Sequence, residues 1–178
     1  MKLTPAETTH RDLLERWRKV MNLVGPGPID EHFEDAARAV SWTSLSGAWA
    51  DLGSGAGFPG IALAARHPEA QVTLVESRRK RAAFLDEVVA RAELGNARVL
   101  CARSEILDPG SLQGIVSRAY RPPAAYLEQA RDLVVSGGQV LLLVARQEPI
   151  HVPGLALFHV ERYALGERPR EVHAYRRS

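Results

Sequence analysis

The sequence predicts an α/β protein: a mostly parallel seven-stranded sheet with an antiparallel C-terminal hairpin, preceded by N-terminal helices. Three observations predict it. Between residues 48 and 144 short apolar runs alternate with segments of helical periodicity, the pattern of parallel strands joined by crossover helices. The first apolar run turns into the next helix through Asp51-Leu52-Gly53-Ser54-Gly55-Ala56-Gly57-Phe58-Pro59-Gly60, where an open α/β sheet docks a nucleotide-like ligand. After Pro149 the pattern changes to two strand-like runs, 155–163 and 171–175, separated by a turn with Gly166 and Pro169, which read as a hairpin.

Each element has its own signal. Residues 6–22 read as a helix because Leu13, Leu14, Trp17, Val20 and Met21 recur at three- and four-residue steps. Gly25-Pro26-Gly27-Pro28 stops it, and a second short helix, 29–40, brings His32, Phe33 and Asp35 close to the glycine loop. Strand 48–52 leads into that loop, and Pro59 suits the first turn of the helix after it, where no N–H is needed. Strand 71–76 precedes helix 78–94, with Ser77 as its N-cap, Ala82, Phe84, Leu85, Val88 and Val89 as its apolar face, and Gly95 placed to end it. Strands 97–101 and 113–117 follow, then helix 122–134, a stop at Ser136-Gly137-Gly138, and the strongly apolar strand 139–144.

A chain of 178 residues with 46% hydrophobic content predicts one domain, 1–178, within which 1–46 forms a helical cap. The single cysteine, Cys101, cannot close an internal disulfide or supply a zinc spacing, and its apolar surroundings predict a buried strand residue in a reducing cytoplasm. No apolar stretch approaches the ~20 residues of a membrane span, and the first residues lack a signal-peptide core. A net charge of +2 does not by itself specify a nucleic-acid partner. Its distribution carries more: Arg78-Arg79-Lys80-Arg81 is a compact basic run, and Arg162, Arg168, Arg170, Arg176 and Arg177 crowd the C-terminal segment, where a phosphate backbone could sit. The plain alternative for both is a solvated face.

Two ligands suit the glycine loop. Gly55-x-Gly57-x-x-Gly60, with Glu76 ending the next strand, satisfies the dinucleotide fingerprint. Gly53-x-Gly55-x-Gly57 preceded by Asp51 is instead the pattern of S-adenosylmethionine (SAM) dependent methyltransferases, in which the acid after the second strand holds the ribose. Glu76 serves both readings, but 178 residues is short for a two-half dinucleotide enzyme with its own substrate domain. A glycine-rich turn with no ligand is the remaining alternative, and the ordered succession of strand, turn, helix, strand and acid argues against it.

Several segments together resemble the bacterial glucose-inhibited division protein B family, also called small-subunit rRNA methyltransferase G. They are Trp17-Arg18-Lys19-Val20-Met21-Asn22-Leu23, His32-x-x-Asp35, the glycine loop through Ile61, Glu76-Ser77-x-x-Lys80-Arg81-x-x-Phe84-Leu85, Arg103-Ser104-Glu105 and Ser117-Arg118-Ala119-Tyr120, in the family's order. The resemblance implies the Rossmann-like class I methyltransferase fold, SAM as cofactor, and methylation of N7 of a guanine in small-subunit rRNA. It implies cofactor contacts from Gly53, Gly55, Gly57 and Phe58 in the loop, from Glu76 near the ribose, from Ser104 and Glu105 near the adenine, and from Arg118 beside the methionine or the incoming substrate, a structural salt bridge being the alternative for Arg118. Asn22, His32, Tyr120 and Arg146 are the substrate-side candidates, each with a structural alternative: a helix brace for Asn22, a hydrogen bond to Asp35 or backbone for His32, a crevice wall for Tyr120. No catalytic acid–base pair is expected, because guanine N7 has a free lone pair and no proton to remove, and no metal site, because one cysteine allows no zinc spacing.

The departures lie on the substrate side. The family has threonine, serine and lysine where this chain has Val24, Ala36 and, at the end of the fifth strand, Val144, so that Arg146 would have to replace a crevice lysine of different geometry. SAM binding is therefore the firmer expectation, and the partner expected is small-subunit rRNA or a ribosomal particle, met by a monomer in the cytoplasm. Other readings are a methyltransferase for another RNA or a small molecule, a non-catalytic SAM-binding regulatory module and, last, a dinucleotide oxidoreductase.

Overall fold

The computed structural model describes residues 2–25 and 27–178, so Pro26 of the helix-stopping stretch and Met1 lie outside the described residues. The first helix, α1 (Pro5–Trp17), begins where Thr4 and Glu7 cap each other: Glu7 N donates to Thr4 Oγ1 at 3.2 Å and Thr4 N to Glu7 Oε2 at 2.8 Å. It stops five residues short of the predicted end. Lys19 N and Val20 N donate to the carbonyls three residues back, the tighter turn of a closing helix, and Val20 is 81% exposed rather than part of the apolar stripe. Trp17 Nε1 donates to Glu87 and fixes that end to a later helix.

The chain continues through α2 (Ile29–Ser41), β1 (Gly47–Leu52), α3 (Gly60–Arg66), β2 (Ala70–Val75), α4 (Arg79–Arg91), β3 (Ala97–Leu100), β4 (Leu112–Arg118), α5 (Pro123–Leu133), β5 (Val134–Ala145), β6 (Leu155–Leu165) and β7 (Arg168–Arg177). The sheet order is β3-β2-β1-β4-β5-β7-β6, parallel from β3 to β5, with β7 antiparallel between β5 and β6. The expected seven strands and the antiparallel hairpin are therefore present. One face packs Trp49, Val72, Leu74 and Val116 under the helices α1 to α4; the other packs Leu52, Ile115, Val140 and Leu142 under α5. Gly114 is required here, since a Cβ at that position would lie 2.4 Å from the Trp49 ring.

Four local expectations are corrected. Ser77 does not cap α4; the cap position is Arg78, whose amide donates to Glu76 Oε1 at 2.8 Å, so the acid at the end of β2 replaces the side-chain cap. Gly95 does not end that helix either, because Glu93 takes the left-handed conformation (φ 53°) just past its end. Ser136-Gly137-Gly138 is no stop between helix and strand: α5 passes directly into β5 at Val134, and those residues form the irregular stretch where the register against β4 shifts. Cys101 is exposed, because β3 is an edge strand that ends one residue earlier.

Candidate active site

The chain leaves β1 to one side for β2 and β3, then crosses to β4 on the other, so the carboxyl ends of β1 and β4 part at the switch point where open α/β sheets bind ligands. A crevice of about 390 Å³ opens there, bounded by Gly53, Glu76, Ser104, Glu105, Ala119 and Tyr120. A larger hollow of about 690 Å³ lies beside β2 and β3, where the crossover from β3 to β4 has only a 3-10 turn, Ser104–Ile106, to cover the sheet. That hollow holds none of the predicted site residues and results from thin cover; Gly53, Glu76, Ser104, Glu105 and Tyr120 line the crevice instead.

The glycine loop is pinned from below. Gly53 N and Ser54 N donate to Val75 O at 2.9 and 3.0 Å, Gly55 N to Glu76 Oε2 at 3.0 Å, and Gly57 N to Ser54 O at 2.7 Å. Gly53, Gly55 and Gly57 have φ of 70°, 54° and 92°, which L side chains rarely adopt. A Cβ on Gly53 would also fall 2.4 Å from the Tyr120 ring. Glu76 is 5% exposed and each of its carboxylate oxygens accepts one backbone amide, leaving further lone pairs. Asp51, beneath the loop, is fully buried; Oδ2 accepts from Gly60 N at 3.0 Å while Oδ1 has no partner among the described residues. Burial, only partly opposed by the Gly60 amide, pushes its carboxyl up to about 7.

On the far wall Tyr120 lies over Gly53, its hydroxyl 2.6 Å from Ser104 Oγ, which also accepts from Gln129 at 2.7 Å. Glu105 is exposed and pairs with Arg121; its own backbone amide, then that guanidinium, hold its carboxyl below the usual range. Phe58 does not face the crevice. It is 4% exposed and packs under the loop against His10 and Phe33, both 4.9 Å away between ring centroids.

Arg118, at the carboxyl end of β4, sits 4.9 Å above the Phe58 ring and donates to Asp35 Oδ2 at 3.0 Å. Arg170 of β7 (3.1 Å) and the Tyr163 hydroxyl of β6 (2.7 Å) converge on the same carboxylate, which is 1% exposed. Burial alone would raise the Asp35 pKa, but the Arg170 hydrogen bond and the Arg118 charge reverse this and hold it down. The cluster bolts α2 to the hairpin and floors a second cavity, about 540 Å³, with His32, Ala145, Arg146 and Arg168 in its walls. Ala119 lines both cavities and, with φ 56°, marks the bend between them.

Glu76, Ser104, Glu105, Tyr120 and Gly53 thus meet in one crevice, and His32, Arg118 and Arg146 in the neighbouring cavity. Asn22 reaches neither; it lies in a separate depression and is linked to the crevice only through its carbonyl, which accepts from Arg81 at 3.2 Å. Val144 points into the second core, 8% exposed, so the position without the family's lysine is not on the cavity wall; Ala145 and Arg146 are. His32 packs against Phe58 at 5.7 Å, and burial, then the Arg118 charge, lower its pKa. His10 was missed, though it lies three, four and seven residues before Leu13, Leu14 and Trp17, a readable spacing; Arg170 was read only as part of the C-terminal basic segment and not as the partner of Asp35.

The family described as rRNA small subunit methyltransferase G (GidB) matches residues 8–153. The chain belongs to that family. The ribosomal RNA small subunit methyltransferase G of Xanthomonas euvesicatoria pv. vesicatoria is 36% identical over 165 residues, covering 80% of this chain and 77% of the relative. The enzyme of the same name from Paracoccus denitrificans is 36% identical over 137 residues, covering 72% and 70%. Among solved structures the M. jannaschii TYW2 in complex with AdoMet (TM-score 0.64, 17% identity, 86% of this chain and 79% of that one) and a SAM dependent methyltransferase from Aquifex aeolicus (TM-score 0.62, 17%, 98% and 99%) share the fold. Membership makes the chain a SAM-dependent rRNA methyltransferase of the class I fold. The crevice fits that cofactor: Gly53, from the turn of the glycine loop, lines it without a side chain, and a buried acid, Glu76, follows β2 into its wall. No described helix is long and apolar enough to cross a membrane.

Proposed function

We propose that this chain methylates N7 of a guanine in small-subunit rRNA, with SAM in the crevice between Glu76 and Tyr120 and the guanine admitted through the cavity between α2 and the hairpin. The observation that supports it is the adjacency of the two spaces, which meet at Ala119. When bound, SAM supplies an electrophilic methyl on a sulfonium. Gly53 gives bare backbone beside it and Gly55 and Gly57 shape the turn behind, Glu76 offers its free lone pairs to ribose hydroxyls, and Ser104 with Glu105 borders the adenine. Tyr120, locked to Ser104 and lying over Gly53, belongs to the cofactor side.

Guanine N7 carries an in-plane lone pair, so no side chain has to remove a proton. The work of the protein is alignment, and fixing two reactants in line is worth ~7–11 kcal/mol. Arg118 is spent on Asp35 and Phe58 and positions the wall; Arg146, at the cavity rim, would meet phosphates of the RNA strand, while Arg168 beside it pairs with Glu31. We take the whole chain as one domain acting as a monomer in the cytoplasm, on a particle or on free rRNA. Incubating it with radiolabelled SAM and small ribosomal subunits from cells lacking it, then digesting the RNA, should yield label as 7-methylguanosine. Label on any other nucleoside would refute the N7 assignment.

A further inference from the structure

On that same SAM reading, we propose that His10 of α1 is a positioning residue for the cofactor loop, holding the Ala56 carbonyl inward and thereby setting the shape of Gly55–Gly57. His10 is 1% exposed, and its Nε2 lies 2.7 Å from Ala56 O. A carbonyl can only accept, so Nε2 carries the hydrogen. The carbonyl and the following amide of a trans peptide point in opposite directions, so turning Ala56 O toward His10 aims the Gly57 amide the other way, where it donates to Ser54 O at 2.7 Å. One hydrogen bond from α1 thus fixes the plane on which the turn closes.

Packing keeps the ring where that bond needs it. Phe33, Phe58 and Phe84 surround it at 5.0, 4.9 and 6.0 Å, and a Cβ on Gly57 would come within 3.1 Å of its Cε1. The helix that carries it is itself tied down, since Glu7, one turn earlier, pairs with Arg66 of α3 at 2.7 Å. Burial in this apolar cage, only partly opposed by the Ala56 hydrogen bond, pushes the imidazole pKa down to about 4, so the ring is a neutral donor at physiological pH. A core aromatic would fill the same space. What it would lack is the donor, and Ala56 O would be left buried without one.

The test compares His10→Phe, which keeps the ring and loses the donor, with His10→Gln, which keeps an amide N–H. Affinity for S-adenosylhomocysteine, the demethylated product, is measured by calorimetry, and amide exchange is followed across residues 53–58 in the ligand-free proteins. His10→Phe should bind roughly ten-fold more weakly, in line with leaving a buried acceptor unpaired, and exchange faster at Gly55 and Gly57, with His10→Gln recovering most of both. Equal affinity and equal loop exchange in wild type and His10→Phe, or no recovery in His10→Gln, would overturn it. If His10→Phe does not fold, the wild-type ring answers: a protected Nε2 proton that shifts on ligand binding is expected, and one that ignores the ligand overturns the assignment. Absence of binding by the wild-type chain itself would instead sink the cofactor reading, and this one with it.

Discussion

Asp51 and His10 flank the glycine loop and pull its stability in opposite directions with pH. His10 has a folded pKa of about 4 against 6.5 for the free side chain, so its contribution is complete above 6.5 and is lost as pH falls toward 4. Asp51 has its pKa raised from 3.8 to about 7, so its contribution is complete below 3.8 and is lost as pH rises through 7. Each shift corresponds to roughly 3–4 kcal/mol, and between pH 4.5 and 6.5 the two slopes oppose. Urea unfolding of the ligand-free protein should therefore show a shallower rise in stability across that window than Asp51→Asn, which loses the opposing acid while His10, His32 and His67, all with lowered pKa, keep the slope upward. An unchanged slope in Asp51→Asn would mean that the buried acid is not the counterweight. Nothing in the sequence marks Asp51 as the acid with an unpaired oxygen. A motif gives residue type and spacing, but desolvation is a property of what packs around it.

The Asp35 cluster joins elements that are 128 and 135 residues apart in sequence, α2 to Tyr163 of β6 and to Arg170 of β7. Removing its charge leaves two guanidiniums in a mostly buried site, for which about 3–5 kcal/mol is the usual cost. Asp35→Asn should lose that order of stability by chemical denaturation, and Asp35→Ala no less. A loss under 1 kcal/mol would show that α2 is held by its apolar face alone. The strands and helices themselves were legible, because period-two and period-3.6 patterns are local. Their ends were not: the stop of α1, the cap of α4 and the start of β5 depend on Trp17 meeting Glu87, on Glu76 accepting the Arg78 amide, and on Val134 pairing with Leu112. Such partners lie far along the chain or replace the expected cap, so local propensity does not contain them.

Across the whole molecule, the parallel half of the sheet delivers Gly53, Glu76, Ser104 and Tyr120 to one edge, and the antiparallel hairpin with α2 builds a second space beside them. The crevice was readable because it follows a short contiguous motif and an acid one strand later. The neighbouring cavity was only partly readable, since it is assembled from α2, the ends of β4 and β5 and the hairpin tip, and it exists only after the long-range pairing of Ala145 with Arg170. The division between the two spaces depends on SAM lying between Glu76 and Tyr120, with Glu76 at its ribose. Calorimetric titration of SAM into the wild-type chain and Glu76→Ala tests this directly. Binding by the wild type, weakened at least ten-fold in Glu76→Ala as expected for losing charge-assisted hydrogen bonds of ~1.5–3 kcal/mol, is the predicted result; equal affinity in both proteins would contradict the placement of the cofactor in this crevice.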